Sequence, residues 1–440
     1  MATATSTSYH GSSFRNNSTS NSTSNSTSGT GDYRGWVRGP VTRGTMDIIW
    51  PCVSTLGLLL FSMLHLNVPA SGDGVMTGFW RKLRWFLLGS LCPELPMLFA
   101  FAQLASARRS RKDMKALAVA DWTITHGFYA DSGGFVLDIP GAHPFPITAK
   151  QLFYLVSHQY VDAPRIEKVE IDDKSKADVV AKCLTFFQSG RFIINIVARA
   201  ASGLHITPLE LMSSAILFCS SITLCLWWHK PLNLKTPTIL KAKCNISTLL
   251  VQAGDAAKDP FRDTPLDFIE PDIYWCSKWN HGGMMQRLLL PKRWWQVRRP
   301  LERIPNDRDF KPCSFQENLM LGVAVSVFGG IHLCGWSLSF PTKAEVHIWQ
   351  VNCIIMGGSL TVYGLSEMMG FWRTRYTEAS MDLFGGYKKR TPWCFVFLVL
   401  GTAYFVSRLC LIVESVVSLP QMPATAFQEV QWLQFLPKLM

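Results

Sequence analysis

Asp121, His126 and Asp131 share one largely apolar stretch, DWTITHGFYADSGGFVL, at residues 121–137. Two carboxylates and an imidazole are the side chains of acid–base work and of metal ligation. A fourth ionisable group, Glu94, stands in another apolar run, between Pro93 and Pro96. A carboxylate in such surroundings points to function by default, because an uncompensated charge in apolar surroundings is costly. These four are the candidate catalytic residues. The last apolar run carries Arg408, the main opposite charge at comparable depth. Glu94 and Arg408 therefore either line a polar path or, as the simpler reading has it, form an ion pair that ties two helices together.

The spacing limits what the first group can do. Successive helix residues turn by about 100°. His126 is five residues from each aspartate, so it lies about 140° around a helix from both. The three cannot face one point on a continuous helix. SGG at 132–134 also offers a helix stop, since glycine accepts the left-handed cap. The stretch reads best as a re-entrant or interfacial segment, because irregular backbone at depth is tolerated only against protein or water. On the functional reading the three residues line a polar pocket near a membrane surface. On the other, Asp121 caps a helix or pairs with the basic run at 108–115, and the rest are satisfied locally.

The elements that must position these groups come from the apolar pattern. The chain has 440 residues and is 48% hydrophobic, an ordinary average with an uneven distribution. Runs of about twenty apolar residues alternate with charged stretches, as in a multi-pass membrane protein. Six runs read as spans: 47–66, 83–104, 206–228, 318–340, 347–371 and 393–416. Two more, 117–137 and 183–201, are ambiguous; the second carries Arg191 and Arg199. A charge in the middle of a span costs roughly 2.5–3.5 kcal/mol on insertion scales. The expected fold is thus an all-α membrane protein, a bundle of six to eight transmembrane helices with two long polar loops at 138–182 and 229–316. Many of the 16 Trp residues fall at the ends of apolar runs, where the membrane boundary favours them.

Residues 1–46 form a Ser/Thr/Asn/Gly tail with almost nothing to bury, ahead of a membrane domain at 47–440. The tail contains glycosylation acceptors at Asn16, Asn17, Asn21 and Asn25. They are used if the tail is lumenal; otherwise they follow from its low-complexity composition. The sequons favour an outside N-terminus, while counting basic residues favours an inside one, with seven spans and an outside C-terminus. No cleavable signal peptide is expected, because the first apolar run begins near residue 47.

The net charge of +12 is carried mainly by the segments between apolar runs. Positive-inside topology and anionic head groups explain it, and no nucleic-acid motif accompanies it, so membrane lipids are the expected partners and nucleic acid is not. LLLPKRWWQVRRPLERIP at 288–305 suits a segment lying on an anionic leaflet, or an ordered loop over the bundle. The 12 cysteines form no C-x-x-C pair, and neither a disulfide framework nor a metal site is expected. Phosphate-binding, dinucleotide, nucleophile-elbow and H-E-x-x-H motifs are lacking, so no cofactor is expected and an ATP-driven pump is disfavoured.

Several segments carry a resemblance: LHLNVP at 64–69, CPELP at 92–96, the 121–137 stretch, FPITAKQLFYLV at 145–156, IDDKSKADVVAK at 171–182, GGIHLCGWSLSFP at 329–341 and MPATAFQEVQWLQFLP at 422–437. Together they resemble a large family of fungal multi-pass membrane proteins without an established biochemical activity. The resemblance implies a fungal source, in an endomembrane or the plasma membrane, and transfers no catalytic residue. Three functions stay open. The first is binding, scaffolding or sensing at a membrane. The second is a membrane-embedded enzyme on a lipid-like or isoprenoid substrate, in a fungal biosynthetic pathway. The third is a transporter or channel, weakened by the lack of an evident internal repeat.

Overall fold

The computed structural model describes residues 42–173, 177–232, 234, 236–258, 260–261, 263–269, 301–306, 315–376 and 392–431. The four sequons of the tail and most of the basic 288–305 segment lie outside these residues.

Helices dominate. They are α1 (Thr45–Ser62), α2 (Val75–Leu91), α3 (Glu94–Ala116), α4 (Ile124–Asp131), α5 (Ala149–Ser157), α6 (Lys168–Asp173), α7 (Ala177–Ala201), α8 (Pro208–Leu226), α9 (Ile246–Ala253), α10 (Phe315–Leu333), α11 (Lys343–Tyr376) and α12 (Pro392–Val417). Among the described residues, five segments are long and apolar enough to cross a membrane: Thr45–Ser62, Pro208–Leu226, Phe315–Ser337, Lys343–Leu365 and Leu398–Val417. They coincide with five of the six runs expected from hydropathy. Of these, α8 is central. Its apolar window is 61% enclosed, against 22–33% for the other four. It packs on α1, α3, α10 and α12. Its start is set by TPLE: Thr207 accepts from the Glu210 backbone at 3.2 Å, Glu210 accepts from the Thr207 N–H at 2.9 Å, and Pro208 opens the helix.

The sixth run, 83–104, is not one straight span. It is broken between α2 and α3, whose axes meet at 109°. Pro93 supplies the reason: it has no N–H to continue α2, and its fixed φ of −64° starts α3 instead. Glu94, read as a mid-span residue, is in fact the first residue of α3.

The ambiguous stretches resolve differently from each other. Residues 117–137 make no span; they hold the eight-residue α4 and the strand β1 (Phe135–Asp138). Residues 183–201 lie within α7, a 25-residue helix that is not among the membrane-length apolar segments.

The two polar loops are not merely loops. Strand β1 pairs antiparallel with β2 (Phe145–Ile147), with Phe135 opposite Ile147. It also pairs in parallel with β3 (Thr238–Lys241) from the second loop, with Phe135 opposite Thr238. The sheet order is β2-β1-β3. Trp122, Tyr129, Phe135, Leu137, Ile147, Leu152, Leu155, Leu240, Leu249 and Leu266 share one core beneath it. The apolar residues of 121–137 thus enter a protein core rather than lipid. An all-α description fails here, because a small α/β layer is built from parts of both loops. It seats on the bundle through α4. A Cβ on Gly127 would stand 2.8 Å from the Ala107 backbone, so only glycine lets α4 lie this close to α3.

Candidate functional site

The structure does not bring Asp121, His126 and Asp131 together. Asp121 is exposed. His126 is buried, and its Nδ1 accepts from the Thr123 N–H at 3.1 Å and lies 2.7 Å from Thr123 Oγ1. Its Nε2 donates to the Ile166 carbonyl at 2.9 Å. Both ring nitrogens therefore bond to local groups: one closes the first turn of α4, the other anchors the chain before α6. Asp131 Oδ1 accepts from the Ala149 N–H at 3.0 Å, at the first residue of α5. A carboxylate there meets the positive end of the helix. No cluster of three or more potential metal ligands occurs among the described residues.

Glu94 and Arg408 do share a buried cluster, but no contact ion pair joins them. Tyr404 Oη donates to Glu94 Oε1 at 2.7 Å. Arg408 Nε donates to the Leu91 carbonyl at 3.1 Å, and Nη1 to His332 Nε2 at 2.5 Å. With Nε2 accepting, His332 carries its proton on Nδ1, which donates to the Phe328 carbonyl at 2.9 Å. The Arg408 guanidinium also lies 5.1 Å from the centre of the Phe328 ring. The break at Pro93 explains this arrangement. Ending α2 leaves the Leu91 carbonyl without a helical partner, and starting α3 leaves a positive helix end. Arg408 serves the first and Glu94 sits at the second. Glu94 Oε2 and Arg408 Nη2 have no hydrogen-bond partner.

A third cluster lies where the α/β layer meets the bundle. Lys230, four residues past the end of α8, is only 2% exposed. Its Nζ donates to Gln103 Oε1 at 2.9 Å and lies 4.7 Å from the centre of the Trp227 ring. Trp227 Nε1 donates to the same Gln103 oxygen at 3.0 Å, and Gln103 Nε2 to the Asn306 carbonyl at 3.3 Å. Asn306 Oδ1 in turn accepts from the Asn67 N–H at 2.9 Å. The Val68 N–H reaches the Ser132 carbonyl at 2.9 Å and ties this chain of bonds to the end of α4. His65, Trp85, Trp227, Lys230 and Asn306 line a small cavity of about 10 Å³. Burial pushes the Lys230 amine down to about 7, with the negative charge of Asp131 offsetting part of the shift. This is the strongest candidate for a responsive site: a buried amine poised near neutral pH, where two structural layers meet.

A fourth cluster is structural. Arg43 forks onto Glu210 at 2.6 and 3.1 Å, and its Nε donates to the Ala426 carbonyl at 2.7 Å. Arg199 donates to the carbonyls of Gln428 at 2.7 Å, His205 at 2.7 Å and Ala426 at 3.1 Å. Arg199, costly at the centre of a span, instead serves backbone carbonyls of His205 and of residues 425–428.

A family model described as a family of unknown function, DUF8562, matches residues 17–255 and 316–439. The chain belongs to the DUF8562 family. No curated protein and no solved structure matches it.

In this DUF8562 chain several of the segments that carried the resemblance supply buried polar residues or the carbonyls that bind them. LHLNVP supplies His65 and Asn67, CPELP supplies Glu94, GGIHLCGW supplies His332, and PATAF supplies carbonyls held by Arg43 and Arg199. Sequence reasoning missed Lys230, Gln103, Asn306 and Tyr404. For Lys230 a signal existed: WWHK directly follows an apolar run, where a lysine is ordinarily expected to reach for water.

Proposed function

We propose that this DUF8562 protein is an integral, multi-pass membrane protein whose role is binding or sensing at a membrane face. The observation that carries the reading is the outward surface of the long helices. Trp50 is 66% exposed, Phe61 60%, Val323 57%, Ile354 58% and Val413 58%. Each lies on a helix of membrane length. Apolar surface left in water costs about 25 cal/mol per Å², so contiguous helical faces of this kind belong in lipid. The α/β layer, which has a core of its own, then stands in water on one side. The resemblance adds a fungal endomembrane or plasma membrane, and with a lumenal tail the sequons would carry glycans.

Binding is favoured over a membrane-embedded enzyme on a lipid-like substrate by the way the buried charges are used. Arg43, Arg199 and Glu210 are occupied with each other and with backbone. The cavity beside Lys230 has room for about one water. Basic segments facing an anionic leaflet would supply the lipid contacts. Membrane fractions extracted with alkaline carbonate test the placement. Full-length protein should stay in the pellet and need detergent for release; a monodisperse protein in plain buffer would end the reading.

A second reading, passage of an ion or small solute, is favoured by one observation. The α2–α3 break leaves buried Glu94 Oε2 and Arg408 Nη2 without hydrogen-bond partners where two half-helix ends meet. Proteoliposome flux that vanishes with Glu94→Gln would move the weight to that reading.

A further inference from the structure

The helix ends of the bundle sort into two faces. On one, Arg43 joins Glu210 at the start of α8 to the Ala426 and Phe427 carbonyls beyond α12. Gly335, just past α10, belongs to this face, because a Cβ on it would stand 2.7 Å from Leu211 of α8 and 2.7 Å from Trp349 near the start of α11. On the other face lies the α/β layer. Asn67 beyond α1, Lys230 beyond α8 and Asn306 ahead of α10 meet there in one chain of bonds with Gln103.

A chain that leaves and returns on one face of a membrane crosses it an even number of times. Residues 42–43 and 426–428 share a face, yet the segments of membrane length among the described residues number five. The bent pair α2–α3 does not supply the sixth crossing. Arg81 of α2 donates to the Asn67 carbonyl at 3.2 Å, and Ala107 of α3 backs Gly127 of α4, so the pair enters and leaves on the layer face.

Helix α7 does run from face to face. Near its start Lys182 Nζ donates to the Trp228 carbonyl at 3.1 Å, and Thr185 Oγ1 lies 2.6 Å from the hydroxyl of Ser62, the last residue of α1. Further on, Gln188 Nε2 donates to Thr55 Oγ1 at 3.2 Å, within α1. Near its end Arg199 reaches the Gln428 carbonyl at 2.7 Å. From Lys182 to Arg199 the helix rises about 26 Å, close to a hydrocarbon core of about 30 Å. Leu184, Phe187, Ile194 and Val197 are exposed along the way, as lipid-facing residues would be. Arg191, the one charge between those ends, has a stem long enough to lean towards the head groups.

Basic residues give the direction. The five of 108–115 end α3 at the layer, and the five of 373–390 lie between α11 and α12, at the ends away from Arg43. On the Arg43 face the links 202–207 and 338–342 and residues 418–437 have no Lys or Arg, which leaves Lys343 and the three arginines ahead of α1, Arg34, Arg38 and Arg43. The excess of positive charge near crossing ends marks the cytosolic side.

We propose that α7 is a sixth crossing, that the α/β layer faces the cytosol, and that the Arg43 face is lumenal, with Asn16, Asn17, Asn21 and Asn25 as the sites of N-glycan attachment. The proposal rests on the membrane placement argued above and adds a direction and a modification to it. No apolar run between residues 25 and 42 could carry the acceptors back through the membrane. Six crossings also remove the conflict that seven created, because the sequons and the basic residues now agree.

The test uses the full chain in sealed vesicles whose cytosolic face is outward and which retain a lumenal marker. A membrane-impermeant maleimide, read at each position by peptide mass, should modify Lys150→Cys of α5 before detergent is added. Ala201→Cys, at the exposed end of α7, should react only after detergent opens the vesicles. Exposed Asp255→Cys and Ala200→Cys stand in for either variant that fails to fold. Glycosidase should shift the native chain to lower mass, and a chain carrying Asn16→Gln, Asn17→Gln, Asn21→Gln and Asn25→Gln together should show no shift. Two cysteines that react alike, before detergent or only after it, lie on one face and overturn the crossing. The inverse pattern, with the α5 cysteine protected, overturns the direction. A native chain that keeps its mass under glycosidase while Ala201→Cys is lumenal overturns the glycan sites. Any of these failures in carbonate-resistant protein strikes this proposal alone; protein released by carbonate overturns the membrane placement first.

Discussion

At the scale of single residues, Lys230 sets the clearest pH dependence. The ammonium of an unfolded chain titrates near 10.5, and burial brings the folded value down to about 7. Between those values the unfolded chain binds the proton and the folded chain does not. Stability therefore rises as pH climbs from 7 towards 10.5, by up to about 1.4 kcal/mol per pH unit from this group, and is flat in it below 7. Lys230→Met should remove that slope without lowering the melting temperature at pH 7, since Gln103 keeps its bond from Trp227. Thermal unfolding in detergent across pH 7–10 reads the result, and equal slopes for the two proteins would contradict it. Glu94 and Arg408 give a second test. Because Tyr404, not Arg408, contacts Glu94, a charge-free pair should not rescue what either single change loses. Arg408→Leu strips the Leu91 carbonyl and His332 of their donor and should cost roughly 3–5 kcal/mol, as breaking a buried charged network does. Glu94→Gln keeps a group that can accept from Tyr404 Oη and should cost clearly less. Recovery of stability in the double variant would point instead to a direct ion pair.

At the scale of elements, hydropathy recovered what depends on composition and missed what depends on partners. Five long apolar runs are five long apolar helices, because twenty residues with so few charges leave few alternatives. The run at 83–104 fails for a local reason, Pro93, which sits in the sequence in plain view. The stretch at 121–137 fails for a different one. Its apolar residues bury against Leu152, Leu155 and Leu240, and a window average is the same whether the cover is lipid or protein. Parallel pairing of β1 with β3 joins residues 135–138 to 238–241, and no periodicity announces a partner that far away. The same distance hid the candidate site, since Gln103, Lys230 and Asn306 come from three separated segments. The α3–α4 seat has its own test. Gly127→Val would press its added carbons on the Ala107 backbone and should destabilise the α/β layer by about 1–3 kcal/mol. Proteolysis should then cut first within residues 121–170. A pattern unchanged from the native protein would show that the two helices can part without cost.

At the scale of the whole molecule, the membrane placement proposed above makes two kinds of solvent meet in one chain. The bundle shows apolar faces outward, while the α/β layer gathers a core of its own. Their junction is polar and buried, held by the Gln103, Asn67 and Asn306 bonds. Elsewhere the segment just before the first long helix is tied to one near the far end of the chain: the Arg43 N–H bonds the Phe427 carbonyl at 2.7 Å, and Thr42 bridges Gln428. That tie has an order in time. The ribosome makes Arg43 and Arg199 long before residues 424–428, so these two side chains wait for carbonyls that do not yet exist. A nascent protein stalled before that point has Arg43 on Glu210 and Arg199 on the His205 carbonyl, but lacks the carbonyls of residues 425–428 that complete both sets of bonds.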